Sequence, residues 1–479
     1  MREQIIFRLV SADFLGLISH GPSLGYGVAS VTKQGNTKSV AKVTNHEPIR
    51  LAVRKHISKQ VSNRDKITLL SNVVSLTILQ IANYLLPLVT IPYLVRILGA
   101  DYFGLLAFAM AFITYFMVFV DYGFNLTATK SLSIHRMDIQ KVEEIFSAVM
   151  TIKALLVTVG LFIMSIIIFS YDRLYENQEV YFFTYGMVIG QAMFPVWLFQ
   201  GLEKMQYIAY LNVLAKGIFT IAIFLLVDNQ ADYYLVPILN SLGFVVAGIL
   251  SLYIVRTCLG IRFRRQGIAT IRKYLIDGWN VFISNLAISI YTTSVPFILG
   301  LTASNAVVGY FSAADKIMQA FKNMLAPVMQ AFYPFVSKRV AISKEEGMKV
   351  IRSVAGYVAV FTAIAGLFVF FSAEWLVGLL LGEGFERSAT LLRIMSLLPF
   401  FVGMSNVFGI LTMLPFNHTV SFSRILMVGS AISIFLSLFL VPLYEDSGAA
   451  VVMIITEGAI ALAMAIYLQT NNLKLIGKP

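Results

Sequence analysis

PVWLFQGLEKMQYIAYLNVLAKG (Pro195–Gly217) sets two apolar runs on either side of a short polar hinge, Glu203-Lys204. The second run carries a lysine, Lys216, halfway along its length. With their flanks the runs reach about 20 residues each, the length a helix needs to span roughly 30 Å of hydrocarbon. They read as consecutive membrane crossings. A cation in the middle of one costs roughly 2.5–3.5 kcal/mol on insertion scales, so Lys216 should have a task or a partner.

The whole chain repeats this pattern. Of its 479 residues 58% are hydrophobic and 13% charged, whereas soluble domains carry about 25% charged residues. The length alone would suit several soluble domains. Recurrent apolar stretches with short polar breaks instead predict an all-α integral membrane bundle. One cysteine, Cys258, excludes a disulfide framework and a cysteine metal cluster. The five histidines (His20, His46, His56, His135, His418) lack metal-ligand spacing, so no metal and no cofactor is expected. The nearest approach to a P-loop, Gly477-Lys478, runs into Pro479, which excludes ATP hydrolysis of that type.

Twelve spans are expected, at 69–95, 102–121, 146–170, 179–201, 207–227, 233–255, 279–301, 306–336, 351–373, 389–413, 423–443 and 449–468. The eighth is too long for one simple crossing and is expected to kink at Pro327. Lysine and arginine in the connecting segments set the orientation. With both termini cytoplasmic, the cytoplasmic segments hold 28 basic residues and the outer loops only Arg173 and Arg387. The net charge of +12 therefore describes one face. It favours anionic lipid headgroups as partners and is no sign of nucleic acid.

Seven basic residues fall elsewhere: Arg96, Lys153, Lys216, Lys316, Lys322, Arg393 and Arg424. Arg96 and Arg424 lie near span ends and can snorkel to water. Lys153 and Lys216 sit well inside their spans. In the eighth span Ser312, Asp315, Gln319, Lys322, Ala326 and Gln330 recur at three- and four-residue steps, which places them on one helix face. Such a stripe is expected to line an aqueous or protein-filled interior. Deep acids are fewer: Asp121, Asp315 and Glu457. A plain reading stands beside each of these residues. The cations can pair with acids on neighbouring helices, Arg393 can reach the outer interface, and Asp121 can cap the turn DYGFN. Trp197 and Trp279 are expected at membrane interfaces, and the Gly186/Gly190 pair at a close helix contact.

At an offset of about 205 residues, IPYLVRILGADYFGLLAF (Ile91–Phe108) lies beside VPFILGLTASNAVVGYFSAA (Val295–Ala314). Each has a proline near the outer end, a short turn, and a glycine opening the next helix, Gly104 and Gly309. Six spans flank each side of the basic segment 256–278. This suggests two six-helix halves, 64–255 and 279–479, a usual build for secondary transporters with substrate bound between the halves.

PVWLFQGLEKMQYIAYLNVLAKG, together with YLVRILGADYFGLLAF, VDYGFNLTATKSLS and LLGEGFERSATLLRIMSLLPFFVGMSNVFGILTM, resembles the O-antigen and polysaccharide transporter family. The resemblance covers about 64–470. Its members are lipid-linked oligosaccharide flippases of bacterial inner membranes, related to the multidrug and toxic-compound exporters. The resemblance implies two pseudo-symmetric six-helix bundles around a central cavity. It also implies a glycan on undecaprenyl pyrophosphate as substrate, with polysaccharide polymerase and ligase proteins as partners. A cationic path would replace the hydration that the pyrophosphate loses, because attraction strengthens as the dielectric falls. Lysine suits a transient site as a mobile point charge. Lys153, Lys216, Lys322, Lys316 and Arg393 are the candidates for that path. Glu457, Asp315 and Asp121 are candidates for gating or for coupling to H+ or Na+, since burial raises a carboxylate's pKa into a usable range.

Two other classes stay open. A cation-coupled multidrug exporter should concentrate acids in its cavity, yet here the deep cations outnumber them. A membrane glycosyltransferase or polymerase should carry catalytic acids on a large outer loop, and 374–388 is short. A peptidoglycan-precursor flippase would usually show fourteen spans. The basic extension 1–63 resembles nothing in the family and is no signal peptide. Val61, opening VSNRDKITLLSN, is the expected start of translation; otherwise the segment is a disordered basic tail.

Overall fold

The computed structural model describes residues 63–473. The expectation for the extension 1–63 thus lies outside the described residues, save for Asn63 itself. Among the described residues the chain is helical, with no strand. In chain order the helices are α1 (Asn63–Asp121), α2 (Phe124–His135), α3 (Ile139–Ser170), α4 (Asp172–Tyr175), α5 (Gln178–Met193), α6 (Val196–Gly201), α7 (Met205–Leu226) and α8 (Leu235–Thr257). There follow α9 (Ile268–Thr302), α10 (Asn305–Asn323), α11 (Ala326–Ile342), α12 (Lys344–Leu380), α13 (Glu386–Met395), α14 (Leu398–Asn406) and α15 (Thr419–Thr470). Eight of the described segments are long and apolar enough to cross a membrane, or nine when the bent α9 is taken as one span. The chain is a multi-pass membrane protein.

Two of these elements are hairpins. A straight helix of 52 residues would run about 78 Å, far beyond a bilayer, and α15 has that many. Instead it turns back at Glu445, whose φ is 51°. The Tyr467 hydroxyl meets Ser421 at 2.9 Å, a Cβ on Gly429 would touch Ile460, and one on Gly448 would meet the Leu440 carbonyl. One partner number rises as the other falls, which is antiparallel pairing. In α1 the break is Gly99, at φ 69°, a backbone region that glycine enters without steric cost. Before it, Asn83 faces Lys216 and Tyr93 donates to the Val227 carbonyl, so this arm runs parallel to α7. After it, Phe112 meets Tyr181 and Phe116 meets Tyr185, so this arm runs parallel to α5. Since α5 in turn runs alongside α8 (Ser241 to the Phe183 carbonyl, Ser251 to that of Met193), and the short connection 227–234 makes α7 and α8 antiparallel neighbours, the two arms of α1 run in opposite directions.

The eighth span departs from expectation. The break falls at Met324-Leu325, and Pro327 sits in the first turn of α11, where its missing N–H leaves no hydrogen bond unmade. The polar stripe accordingly ends at Lys322; Ala326 and Gln330 belong to the next helix. Trp197 does not reach the protein surface. It is fully buried beside Phe146, inside a core with Tyr122, Phe199 and Leu132, whereas Trp279 is exposed. Gly186 and Gly190 do mark a close contact, since a Cβ on either would collide with Ser241 or Phe244 of α8.

The contacts between α1 and the C-terminal helices are reciprocal. A Cβ on Gly309 would meet the Ala100 carbonyl at 2.0 Å, and one on Gly104 would meet the Asn305 carbonyl at 1.8 Å. At the sequence offset of 205, Ala100 carries over to Asn305 and Gly104 to Gly309, so each contact is the other with its partners exchanged. The same end of the molecule holds two arginine staples. Arg96 donates to the Leu379 carbonyl near the end of α12, and Arg173 to the Ala303 carbonyl at the end of α9. Guanidinium groups are well placed there, because terminal helix carbonyls are unsatisfied and partly negative.

Candidate functional site

Among the described residues, two cavities lie between spans that carry deep lysines. The larger, 390 Å³, sits between the second arm of α1 (Ala107, Met110, Ala111, Thr114) and helices α9, α10 and α15. Asp315, Lys316, Gln319 and Lys322 line it from α10, and Glu457, Thr456 and Ser433 from α15. Lys322 approaches Asp315 at 3.6 Å, and Gln319 donates to the other Asp315 oxygen at 2.6 Å. Asp315 Oδ1 and the Thr456 hydroxyl are both buried without a hydrogen bond among the described residues. Lys316 is exposed in the wall, with no ion pair among the described residues. Asp315 thus pairs two turns along its own helix with Lys322 and not with the adjacent Lys316. The Lys316 ammonium and the Thr456 hydroxyl are donors without a partner among the described residues, and they can receive a polar, anionic ligand beside the carboxylates of Asp315 and Glu457.

The remaining candidates lie elsewhere. Lys153 is buried on α3 and pairs with Asp121 at 3.4 Å, while Asn125 donates to the same carboxylate at 2.9 Å. Neither Lys153 nor Asp121 lines either cavity. Arg393 reaches Glu374 at 2.8 Å in a separate 320 Å³ recess with Glu383 and Glu386, near the stapled end. Lys216 donates to Asn83 at 2.6 Å and lines a second cavity of 220 Å³ with α1 and α8. The five cations expected on one path are thus divided among four places, and only Lys316 and Lys322 share a cavity.

Several lining groups escaped sequence reading. Thr114, Thr292 and Thr293 also line the larger cavity, but threonine in an apolar helix carries no pattern that distinguishes lining from packing. Asn83, Asn212 and Asn240 around Lys216 come from three different elements. A signal was present there, since amides at mid-span are costly without partners.

Residues 69–340 match the family described as polysaccharide biosynthesis protein. A protein of Escherichia coli (strain K12) described as a "putative O-antigen transporter" is 33% identical over 411 residues, covering 86% of this chain and 99% of that protein. A protein of Shigella dysenteriae with the same description is 29% identical over 396 residues, covering 82% of this chain and 98% of its own. Among solved structures, the fold is similar to that of lipid II flippase MurJ in an inward closed conformation, with a TM-score of 0.65 at 13% identity over 82% of this chain and 87% of that one. That likeness concerns the fold alone. The relatives are described as transporters and not as enzymes. The chain belongs to the polysaccharide biosynthesis protein family that includes the O-antigen transporters.

Proposed function

We propose that this protein moves an undecaprenyl-pyrophosphate-linked oligosaccharide, an O-antigen or capsule repeat unit, from the cytoplasmic to the periplasmic leaflet of the bacterial inner membrane. The observation that carries the reading is the 390 Å³ cavity with Lys316 and Lys322 in its wall, in a chain with O-antigen transporter relatives. Lys316 offers the first contact for the pyrophosphate. Lys322 then exchanges Asp315 for the arriving anion. The released carboxylate, with Glu457 on the facing wall, takes the coupling ion, H+ or Na+. Sites for drug-sized ligands occupy about 300–1,000 Å³, so the cavity holds a headgroup and the glycan passes only as the walls part. The polyprenyl tail stays in lipid.

The architecture fits alternating access. Counting both arms of α1 and of α15, and α10 with α11 as one broken crossing, gives twelve spans, six on each side of the basic linker 256–278. The exchanged contacts at Gly104 and Gly309 support two related halves, 64–255 and 279–479, that rock about their interface. The basic end and both termini face the cytoplasm, and the stapled end faces the periplasm. The flipped unit then passes to a polymerase or a ligase.

Export of surface polysaccharide in cells tests the site. Lys316→Ala and Lys322→Ala at unchanged membrane abundance should each cut export several-fold, and the double variant should cut it further. Each lost charge-assisted contact is worth about 1.5–3 kcal/mol, or roughly 10–150-fold in affinity. Full export from the double variant would remove the cationic site.

A further inference from the structure

The 220 Å³ cavity takes its walls from α1, α7 and α8, together with Phe194. Lys216 is its one charged lining residue, about 16 Å along α7 and so near the middle of that helix. Leu86, Ile91, Leu94, Phe219, Ile223 and Phe244 supply apolar walls. Thr90 spends its hydroxyl on the Leu86 carbonyl and Asn212 its amide on that of Ile208. Thr220 and Asn240 also line the cavity and have no hydrogen bond from their side chains among the described residues.

The treatment of charge differs from that at the other deep cations. Lys153 has Asp121, Lys322 has Asp315 and Arg393 has Glu374. Lys316 shares its cavity with Asp315 and Glu457. Lys216 has only the neutral Asn83 amide as a side-chain partner among the described residues, and no carboxylate lines its cavity. An ammonium at mid-depth without a counter-charge is an expensive arrangement, and an arriving anion relieves it. One Asn83 oxygen occupies one of three donors.

We propose that this cavity is a second anion site, for a phosphate headgroup on an apolar chain. The phosphate sits on Lys216 with Asn240 and Thr220 donating, and the chain lies along the leucine, isoleucine and phenylalanine walls. The volume falls below the about 300–1,000 Å³ of drug-sized sites, so the headgroup carries no glycan. A polyprenyl phosphate and a membrane phospholipid such as phosphatidic acid share this chemistry. The site stands apart from the 390 Å³ cavity and does not rest on its role.

The test uses full-length protein, purified in detergent and stripped of lipid. Inorganic phosphate, phosphatidic acid and farnesyl phosphate are titrated separately, with bound ligand counted by native mass spectrometry. One equivalent of a lipid phosphate should bind where inorganic phosphate does not, and the preferred lipid identifies the source. Lys216→Met should weaken binding about tenfold or more, and Lys216→Arg should retain most of it. Gly243→Leu, which fills the cavity while keeping Lys216, should weaken binding as well and serves if Lys216→Met fails to fold. Equal binding by wild type and Lys216→Met, or by wild type and Gly243→Leu, overturns the proposal. So does binding of inorganic phosphate alone. Loss of binding in Lys322→Ala with retention in Lys216→Met also overturns it, while leaving the translocation reading in place.

Discussion

Lys153, marked by sequence as a candidate for transport, sits in a buried ion pair whose loss should cost stability. A lysine buried to 2% exposure beside a carboxylate at 3.4 Å is a desolvated ion pair, and removing one member of such a pair typically costs about 3–5 kcal/mol because the other is left buried and charged. Lys153→Ala should therefore lower thermal stability and membrane abundance together. The neutral pair Asp121→Asn/Lys153→Met should recover most of the loss, read as the unfolding midpoint of purified protein. A stable Lys153→Ala variant would instead return the residue to the transport path. The position of these cations could be read from the sequence, because charge in an apolar run stands out. Their partners could not be read, since Asp121 lies 32 residues from Lys153 and helix periodicity says nothing about contacts between helices. Lys322 and Asp315 are the exception. They share one helix face at seven residues' spacing, and four residues of that stripe, Ser312, Asp315, Gln319 and Lys322, line the larger cavity.

Among the elements, the second arm of α1 and α10 carry the most exacting contact. Gly104 and Gly309 leave no room for a side chain, because the colliding atoms are backbone atoms of the opposite helix. Gly104→Ala and Gly309→Ala should each lower abundance or activity, whereas Gly217→Ala and Gly356→Ala, with nothing within 4 Å, should be tolerated. Comparing the four by protein level and export checks this. The two glycines were visible in the sequence as matching positions of a weak repeat, and the structure gives the repeat a physical use. The hairpins at Gly99 and Glu445 agree with the short polar breaks expected there. The break before Pro327 was misplaced, since proline is as well suited to beginning a helix as to bending one. The basic linker was expected only as charge. In the structure it is docked, with the Arg262 and Arg264 N–H groups donating to Glu143 and Ser147 and the Arg264 guanidinium 2.6 Å from Glu143. Glu143→Ala should loosen it and speed proteolysis at 260–267, compared with wild type under limiting trypsin.

At the scale of the molecule, the two arginine staples and the glycine crossing close one end, and alternating access requires that end to open. Neither staple involves a carboxylate acceptor, so its strength should not change between pH 5 and 8. In a Cys258→Ser background with Ser312→Cys, Arg96→Ala/Arg173→Ala should increase labelling by a membrane-impermeant maleimide added at the stapled side; unchanged labelling would show that the staples do not hold the seal. The class of molecule was legible from composition and from the length of the apolar runs. The division of its deep cations among separate places was not, because it depends on which helices meet. The proposed function requires that a lipid-linked glycan cross through this protein. Its most direct test is leaflet translocation in sealed proteoliposomes, using a lipid-pyrophosphate oligosaccharide from the native host with a cationic dye in parallel. Protein-dependent movement of the glycolipid, lost on replacing Lys316 and Lys322, is the predicted result. Movement of the dye alone would contradict it.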